Sequence, residues 1–160
     1  MKPVTQALAI TAASSQEELA TIRELFKEYA NSLEIDLCFQ GFERELAELP
    51  GDYSPPEGCL LLARDENRIV GCAALRKIGT GLCEMKRLYV RPDFRRQGAG
   101  RALARAIIAA AREAGYRHLR LDTLASMNEA ITLYESLGFR RIPPYYHNPS
   151  ACAVFMELDL

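Results

Sequence analysis

The stretch from Leu82 to Leu103, LCEMKRLYVRPDFRRQGAGRAL, contains the pattern that decides the fold. Its first nine residues form a mostly apolar run with the length of a strand, which ends before Pro92. A basic loop with two glycines, Gly98 and Gly100, comes next, and an apolar stripe at helical spacing follows the loop. The stretch therefore predicts a strand, a short glycine-containing loop and a long amphipathic helix.

This loop has the features of a phosphate-binding site. Glycine carries no Cβ, so the backbone at Gly98 and Gly100 can approach a ligand closely. The start of the helix adds unpaired N–H groups and the positive end of the helix dipole. A Walker A loop is excluded because the chain lacks G-x-x-x-x-G-K-[ST]. A dinucleotide-binding fingerprint is excluded because Leu103 occupies the position of its third small residue.

The rest of the chain predicts a sheet with helices around it. Ser14 and Ser15, each followed by a glutamate three residues later, predict a capping box at the start of the first helix. The expected strands are residues 5–11, Cys59–Ala63, Ile69–Ile78, Leu82–Val90, Arg117–Asp122, Phe139–Ile142 and Cys152–Leu158, and the further helices are Phe39–Leu49, Gly100–Ala114 and Met127–Leu137. The order β-α-α-β-β-β-α-β-α-β-β predicts an α+β fold, with a mixed, mostly antiparallel central sheet flanked by about four helices.

Composition excludes several classes of protein. The 160 residues suit one domain, residues 1–160, and the 49% of hydrophobic residues exclude a disordered chain. No apolar run approaches the ~20 residues that span a bilayer, and the N-terminus lacks a convincing signal peptide. Five cysteines without a C-x-x-C pair indicate neither a disulfide framework nor a zinc site. The chain has two histidines, His118 and His147, and His118 is expected to be structural. No metal site is therefore expected. A reduced cytoplasmic protein without a membrane partner is the expectation.

Charge is distributed unevenly along the chain. Residues 1–60 contain four basic and eleven acidic side chains, whereas residues 61–160 contain sixteen basic and ten acidic ones. The basic excess is densest between Lys86 and Arg105, where seven basic residues accompany the single acid Asp93. Such a patch could bind nucleic acid. The net charge of −1 and the glycine loop speak against that partner.

Two segments resemble the GNAT superfamily of N-acetyltransferases. Residues Arg95 to Gly100, RRQGAG, are similar to its R/Q-x-x-G-x-G/A loop. Residues Asn128 to Phe139, NEAITLYESLGF, are similar to a second element of that superfamily, which ends in Y-x-x-x-G-F. The predicted order of elements resembles the GNAT fold over essentially the whole chain. The two segments, with the strand and helix that flank the loop, identify the chain as a member of this superfamily.

The resemblance implies transfer of an acetyl group from acetyl-CoA to a primary amine, directly in a ternary complex. The backbone of Leu88–Val90 would bond the pantetheine arm and the thioester carbonyl. The backbone amides of Arg96–Arg101 would hold the pyrophosphate, and Asn128 would approach the pantetheine arm. The residues expected to bind acetyl-CoA as a co-substrate are Leu88, Tyr89, Val90, Arg95, Arg96, Gln97, Gly98, Ala99, Gly100, Arg101 and Asn128.

Tyr134 and Glu84 are the candidate catalytic residues. In the superfamily the tyrosine four residues before G-F commonly protonates or hydrogen-bonds the departing thiolate, which gives Tyr134 this role. A core aromatic at helical spacing is the alternative. Glu84 lies at a strand position that carries the general base in several members, and an ion pair with Lys86 is its alternative. His147 or a water could serve as the base instead.

The acceptor site is expected to border the loop PPYYHNP and the connection between the first two helices. Tyr145 and Tyr146 could wall the pocket, and His147 could titrate near neutral pH. A rigid surface turn is the alternative for this loop. Glu34 and Asp36 could attract a cationic amine, although helix capping and solvation also explain such residues.

The sequence therefore predicts an acetyl-CoA-dependent N-acetyltransferase, with a small-molecule amine favoured over a peptide or protein as acceptor. A CoA-binding regulatory or sensor domain without turnover is the first alternative, and a nucleic-acid-binding module is the second. A homodimer stays open, because dimers are common in folds of this kind.

Overall fold

The structure is a computed structural model that describes residues 8–33 and 41–160. Its strands are β1 (Ala9–Ala12), β2 (Cys59–Asp65), β3 (Arg68–Gly79), β4 (Leu82–Val90), β5 (His118–Leu124), β6 (Arg140–Ile142) and β7 (Ala153–Asp159). Its α-helices are α1 (Gln16–Ser32), α2 (Phe42–Glu48), α3 (Ala99–Glu113) and α4 (Asn128–Ser136). Short 3-10 turns cover Gly51–Tyr53 and Pro92–Phe94.

These strands form one seven-stranded sheet in the order β1-β2-β3-β4-β5-β7-β6. The neighbours β4 and β5 are parallel, and α3 makes the crossover between them. The other neighbouring pairs are antiparallel. The predicted α+β fold, with its mostly antiparallel sheet and about four helices, is confirmed.

Strand boundaries differ from the predicted ones at several ends. β5 and β7 begin one residue later than predicted and end later, at Leu124 and Asp159, because their pairing runs from His118 opposite Asp159 to Leu124 opposite Ala153. Residues 5–7 of the expected strand at 5–11 lie outside the described residues, and β1 runs from Ala9 to Ala12, since it pairs with β2 up to that residue. Cross-strand partners, rather than local composition, set these ends.

Helix ends and faces also differ in detail. The capping box of α1 is confirmed: Ser15 Oγ accepts from the Glu18 N–H at 3.1 Å, and the Glu18 carboxylate accepts from the Ser15 N–H at 3.1 Å. On α3 the buried face includes Ala104 and Ile108, whereas Ala114, the last residue of the predicted helix, is exposed. The helix packs across β2, β3 and β4, which buries a wider face than a narrow stripe.

The sheet separates two apolar cores. α3 and α4 pack on one face, around buried residues such as Leu103 and Ile107. α1 and α2 pack on the other face, around Ile22 and Phe26. A ligand site that touches both sets of helices must therefore pass through the sheet or around its edge.

Among the described residues, no helix combines the length and the apolar character that crossing a membrane requires.

Candidate active site

A cavity of about 820 Å³ opens where β4 and β5 separate. The two strands pair over only three residues each, Leu82–Glu84 with His118–Arg120. Beyond these pairs, Met85–Val90 of β4 and Leu121–Leu124 of β5 line the cavity. Over this length, the backbone groups that β4 turns toward β5 are not used in pairing between the two strands.

The cavity touches helices of both faces, and its two ends differ in character. We call the end between the segment Phe94–Arg101 and α4 the loop lobe. We call the other end the polar lobe; it is lined by Tyr29, Ser32, Leu33, Lys86, Arg87, Asp122 and Asn148. Because α1 and α4 lie on opposite faces of the sheet, the cavity passes through the gap between β4 and β5.

The loop lobe presents backbone N–H groups. Gly98 is the N-cap of α3, with φ +87°, and unlike Ser15 at α1 it supplies no side-chain cap. The N–H groups of the first turn, at Ala99, Gly100 and Arg101, have no partner within the helix. A Cβ on Gly98 would meet no atom within 4 Å, so this side of the loop is open. Unpaired N–H groups and the helix dipole can hold an anion here.

The two loop glycines differ in what they contribute. Gly98 adopts a left-handed conformation that other L residues rarely adopt. Gly100 is helical, and a Cβ there would lie 3.6 Å from Leu133 Cδ2 and 3.9 Å from Val90 Cγ2, which are ordinary contact distances. Glycine is therefore required by the backbone at Gly98 and not at Gly100.

Three arginines border the loop lobe. Arg95 donates from Nε to a backbone carbonyl at the end of β4, at 3.0 Å. Arg96 pairs with Glu129 of α4 at 3.1 Å, and Arg101 donates to Ser136 Oγ at 2.8 Å. The last two contacts connect the loop and the start of α3 to α4 at the rim of the lobe.

The other basic residues of the cluster are directed elsewhere. Arg87 is buried and makes a bidentate pair with Glu45 of α2, with N–O distances of 3.0 and 2.9 Å. Arg91 pairs with Glu28 at 2.8 Å, and Lys86 is buried at the polar lobe. The cluster thus does not form one continuous cationic surface, which argues against the nucleic-acid alternative.

Arg87 also lies in a bulge of β4. The pairs Cys72–Tyr89 and Ala74–Lys86 leave two residues of β4 opposite one residue of β3. Arg87 has φ +56°, a conformation that costs a non-glycine residue about 1–3 kcal/mol. The buried ion pair between Arg87 and Glu45 of α2 stabilises this strained conformation. Arg87 also lines the cavity.

Tyr134 is a residue of α4 that packs in the core beside the cavity. Its ring packs against Phe139, with 5.7 Å between centroids, and only 6% of the residue is exposed. It nevertheless lines the cavity, and no residue in the described parts of the chain bonds to its hydroxyl. Burial raises the pKa of Tyr134 above its ordinary value, and the charge of Asp122 adds to this effect. Tyr134 is therefore a core aromatic that also lines the cavity, and its role as a proton donor stays a prediction.

Glu84 belongs to a row of alternating charges that crosses five strands. The direct cross-strand neighbours in this row are Arg76, Glu84, Arg120, Glu157 and Arg140. Glu84 accepts from Arg76 at 2.9 Å and from the Tyr145 hydroxyl at 2.5 Å, and its side chain is 1% exposed. It is not part of the cavity wall. These contacts favour a structural role, and the role of general base stays a prediction.

Asp122 is the carboxylate of β5 that does line the cavity. It lies two residues beyond Arg120 and so on the same face of the sheet as the charge row. One oxygen is 3.4 Å from Lys86 Nζ, and the other accepts from the Tyr146 hydroxyl at 2.6 Å. Sequence reasoning missed this residue. Its only signal in the sequence was its position on the predicted strand Arg117–Asp122, two residues after Arg120 and therefore on the same face of the sheet.

The loop between β6 and β7 supports the two carboxylates. The rings of Tyr145 and Tyr146 both pack on Phe155 at 5.2 Å, and their hydroxyls bond Glu84 and Asp122. Neither tyrosine lines the cavity. The exposed His147 does not line it either, whereas the neighbouring Asn148 does. The loop therefore anchors the site through hydroxyl groups, and its predicted contact with the acceptor stays untested.

Two further predictions concern residues away from these walls. Glu34 and Asp36 lie outside the described residues. His118 Nδ1 is 2.9 Å from Asp159 and 3.7 Å from Glu157, which together make the one group with metal-ligand spacing in residues 8–33 and 41–160. Arg140 already pairs with both carboxylates, so the group is explained as an ion-pair network.

The comparisons with known proteins now decide the family. The family model for GNAT acetyltransferases matches residues 19–139 of the chain. The chain belongs to the GNAT family. An uncharacterized N-acetyltransferase of Schizosaccharomyces pombe is 41% identical to this GNAT chain, over all of it and 98% of the relative. The predicted membership and the predicted acyltransferase activity are confirmed.

Solved structures agree with the GNAT fold. An acetyltransferase from Streptococcus agalactiae has a TM-score of 0.80 and 22% identity, covering 97% of this chain and 99% of the other. A GNAT family acetyltransferase from Elizabethkingia anophelis with acetyl-CoA bound has a TM-score of 0.71 and 21% identity, covering 98% and 100%. At these identities the likeness shows the fold.

Proposed function

We propose that this GNAT chain transfers the acetyl group of acetyl-CoA to a primary amine, a small molecule rather than a protein, directly in a ternary complex. The observation that carries the proposal is the cavity through the sheet. It joins a backbone anion site at one end to a buried carboxylate at the other. A donor with a phosphate arm and an acceptor amine can therefore meet between β4 and β5.

Acetyl-CoA fits the loop lobe. Gly98 leaves an open space above the first turn of α3, where three N–H groups can donate hydrogen bonds to a pyrophosphate. The backbone of Leu88–Val90 and the side of α4 at Asn128 line the path toward the gap. The related structure with acetyl-CoA bound supports this assignment. When bound, acetyl-CoA supplies the thioester whose acetyl group is transferred.

Tyr134 has the position of a proton donor to the leaving sulfur. Burial raises the pKa of Tyr134, so the phenol keeps its proton at neutral pH. Tyr134 lines the same cavity as the loop residues Phe94–Arg101 and the carboxylate Asp122. Transfer of this proton would stabilise the charge that develops as the carbon–sulfur bond breaks.

Asp122 is the base that the geometry supports best. An acceptor ammonium must lose a proton before its nitrogen can attack, and a carboxylate on the cavity wall can accept it directly or through a water. Glu84 has a side chain that is only 1% exposed, and it lies off the cavity wall. The Tyr146 hydroxyl and the Lys86 ammonium hold Asp122 in place.

A thiol-release assay with acetyl-CoA and a broad panel of amines tests the proposal. The panel includes amino acids, polyamines, aminoglycosides and peptides, and calorimetry measures acetyl-CoA binding separately. We expect binding, a higher melting temperature with acetyl-CoA than with duplex DNA, and release of thiol with a small amine. Binding without turnover on any amine would favour a regulatory CoA-binding domain. Stronger stabilisation by DNA at moderate salt would favour the nucleic-acid alternative.

A further inference from the structure

A tyrosine of the loop between β6 and β7 is the closest hydrogen-bond donor to Asp122 among the described residues. The Tyr146 hydroxyl lies 2.6 Å from Asp122 Oδ2, whereas Lys86 Nζ lies 3.4 Å from Oδ1 and also pairs with Glu84 at 4.0 Å. The Asp122 side chain is 11% exposed, so little water can replace a missing donor. An ionised carboxylate in such a site depends on the donors around it. Tyr146 therefore contributes strongly to the state of Asp122.

The direction of this hydrogen bond is fixed from the loop backbone. The Ser150 N–H can only donate, and it donates to Asn148 Oδ1 at 2.9 Å. This bond turns the Asn148 amide nitrogen toward Tyr146, where it donates to the hydroxyl oxygen at 3.2 Å. An amide nitrogen only donates and an ionised carboxylate only accepts, so the hydroxyl proton of Tyr146 points to Asp122. Three hydrogen bonds in series thus lead from the loop backbone to the carboxylate.

Packing holds Tyr146 in place as a donor. Phe155 of β7 lies directly opposite Asp122 of β5. The Tyr146 ring packs against Phe155 with 5.2 Å between the centroids, so the same strand pair places the ring and the carboxylate. Burial and the bond to Asp122 raise the pKa of Tyr146 above its ordinary value, so the hydroxyl keeps its proton at neutral pH.

We infer that Tyr146 and Asn148 are positioning residues, which keep Asp122 ionised and oriented to receive a proton from the acceptor ammonium. The inference rests on the proposed function and adds the loop before β7 to it. In this step the proton passes from the ammonium to the Asp122 carboxylate, and the nitrogen keeps the electron pair that attacks the thioester carbon. Tyr146 does not line the cavity, so it acts on the reaction through Asp122.

Other ionisable groups also surround Asp122. On the described elements around it they include Lys86 and Glu84 of β4, Arg120 of β5, Glu157 of β7, Tyr29 of α1, Tyr134 of α4 and Tyr145 of the loop. A substitution of Tyr146 leaves all of these groups in the chain. The acceptor amine also titrates in the same way with every variant. A difference between variants therefore reports the contribution of the loop.

The pH profile of kcat/KM tests the inference, with the amine of the panel that releases thiol fastest as acceptor. Tyr146→Phe removes a donor that favours the ionised carboxylate. The acidic limb of the profile should therefore move to higher pH by about 1–2 pH units, the effect of one hydrogen bond to a charged group. Tyr145→Phe is the matched comparison, since it loses a bond from the same loop to Glu84, off the cavity wall. It should lower the melting temperature by a similar amount and leave the acidic limb in place.

A double-mutant cycle separates positioning from folding. Tyr146→Phe should lower kcat at neutral pH by about 10-fold in the wild-type chain, the effect of one charged hydrogen bond. In the Asp122→Asn background the same change should lower kcat by less than about twofold, because no base remains to be positioned. A purely structural tyrosine would cause the same loss in both backgrounds.

Asn148→Asp tests the loop end of the series. The aspartate keeps an oxygen for the Ser150 N–H but cannot donate to Tyr146, whose hydroxyl then lies between two carboxylates. The acidic limb should move in the same direction as in Tyr146→Phe. In the Tyr146→Phe background the further shift should be smaller, whereas a new charge acting by itself would cause the same shift in both backgrounds.

Two results overturn the inference alone: an acidic limb that stays in place in Tyr146→Phe, or a loss of kcat that is equally large in the Asp122→Asn background. Asn148→Asp gives the same decision if Tyr146→Phe does not fold. The proposed function then stands, provided that Asp122→Asn is slow. A wild-type kcat in Asp122→Asn, or a panel in which no amine releases thiol, overturns the proposed base or the proposed function, and the inference with it.

Discussion

The loop lobe and the polar lobe are built in opposite ways. Backbone N–H groups of one continuous segment, at the start of α3, form the loop lobe. Side chains from α1, β4, β5 and the loop before β7 form the polar lobe. Backbone groups recognise a phosphate whatever the neighbouring side chains are, whereas a side-chain site can change its ligand with one substitution. The proposed acetyl-CoA end of the cavity thus depends on backbone groups, whereas the proposed acceptor end depends on the identity of individual side chains.

The sharpest test of the loop lobe is Gly98→Val, with Gly115→Val as its control. The two glycines have φ +87° and +88°, and neither has an atom within 4 Å of an added Cβ. Both variants should lose about 1–2 kcal/mol of stability, because the left-handed backbone disfavours valine. Only Gly98→Val should weaken acetyl-CoA binding, by about 100-fold or more, as two charged hydrogen bonds are lost. Equal Kd values of the two variants for acetyl-CoA in calorimetry would show that this loop does not bind the pyrophosphate.

Asp122 of the polar lobe and Glu84 of the charge row lie on neighbouring strands, so matched substitutions of the two carboxylates compare their roles. Asp122→Asn should lower kcat by about 10²- to 10³-fold, as expected for loss of a general base, with acetyl-CoA binding unchanged. Glu84→Gln should lower the free energy of unfolding by about 1–3 kcal/mol through its bonds to Arg76 and Tyr145. Its kcat should stay within about threefold of wild type, far from the loss of a base. If Glu84→Gln instead lowers kcat by about 10²-fold or more while Asp122→Asn leaves kcat near the wild-type value, Glu84 is the general base.

Tyr134→Phe tests the proposed role of the Tyr134 hydroxyl as a proton donor. It should lower kcat by about 10²-fold with little change in KM or acetyl-CoA affinity, because the hydroxyl acts as charge builds on sulfur. Burial raises the pKa of Tyr134 above its ordinary value of 10, so the phenol stays protonated below that pH. Tyr134 should therefore cause no decline of wild-type kcat between about pH 7 and 9. Tyr116→Phe, whose hydroxyl bonds the Glu57 carbonyl outside the cavity, is the control. Matching kcat values for the two variants would assign Tyr134 to packing alone.

The smallest effect is expected at the rim of the loop lobe. Arg96 and Arg44 are equally exposed, at 82%, and pair with Glu129 and Glu48. Replacing either arginine by glutamine should leave the melting temperature nearly unchanged, because solvent screens such exposed ion pairs. Arg96→Gln should also weaken acetyl-CoA binding severalfold at low salt, and Glu129→Gln should strengthen it, because the pair lies beside the anion site. Identical binding in all three variants would show that rim charges do not influence the cofactor.

The order of elements could be predicted because each one has a local cause. The capping box at Ser15, the apolar spacing of α3 and the tight turns between β2, β3 and β4 are all short-range patterns. The ends of β5 and β7 could not be predicted in the same way, since they depend on pairing between strands about thirty residues apart.

The sequence alone determined the loop lobe, because glycine at a left-handed N-cap and an uncapped helix start are properties of neighbouring residues. Tertiary structure decided the polar lobe. Pairing between β3, β4 and β5 places Glu84 in a row of charges, while the separation of β4 from β5 leaves Asp122 and Lys86 on the cavity wall. Both carboxylates are acidic residues on strands and look alike in the sequence. Only the three-dimensional packing shows that one is enclosed and the other can meet a substrate, because strand register is set by partners distant along the chain.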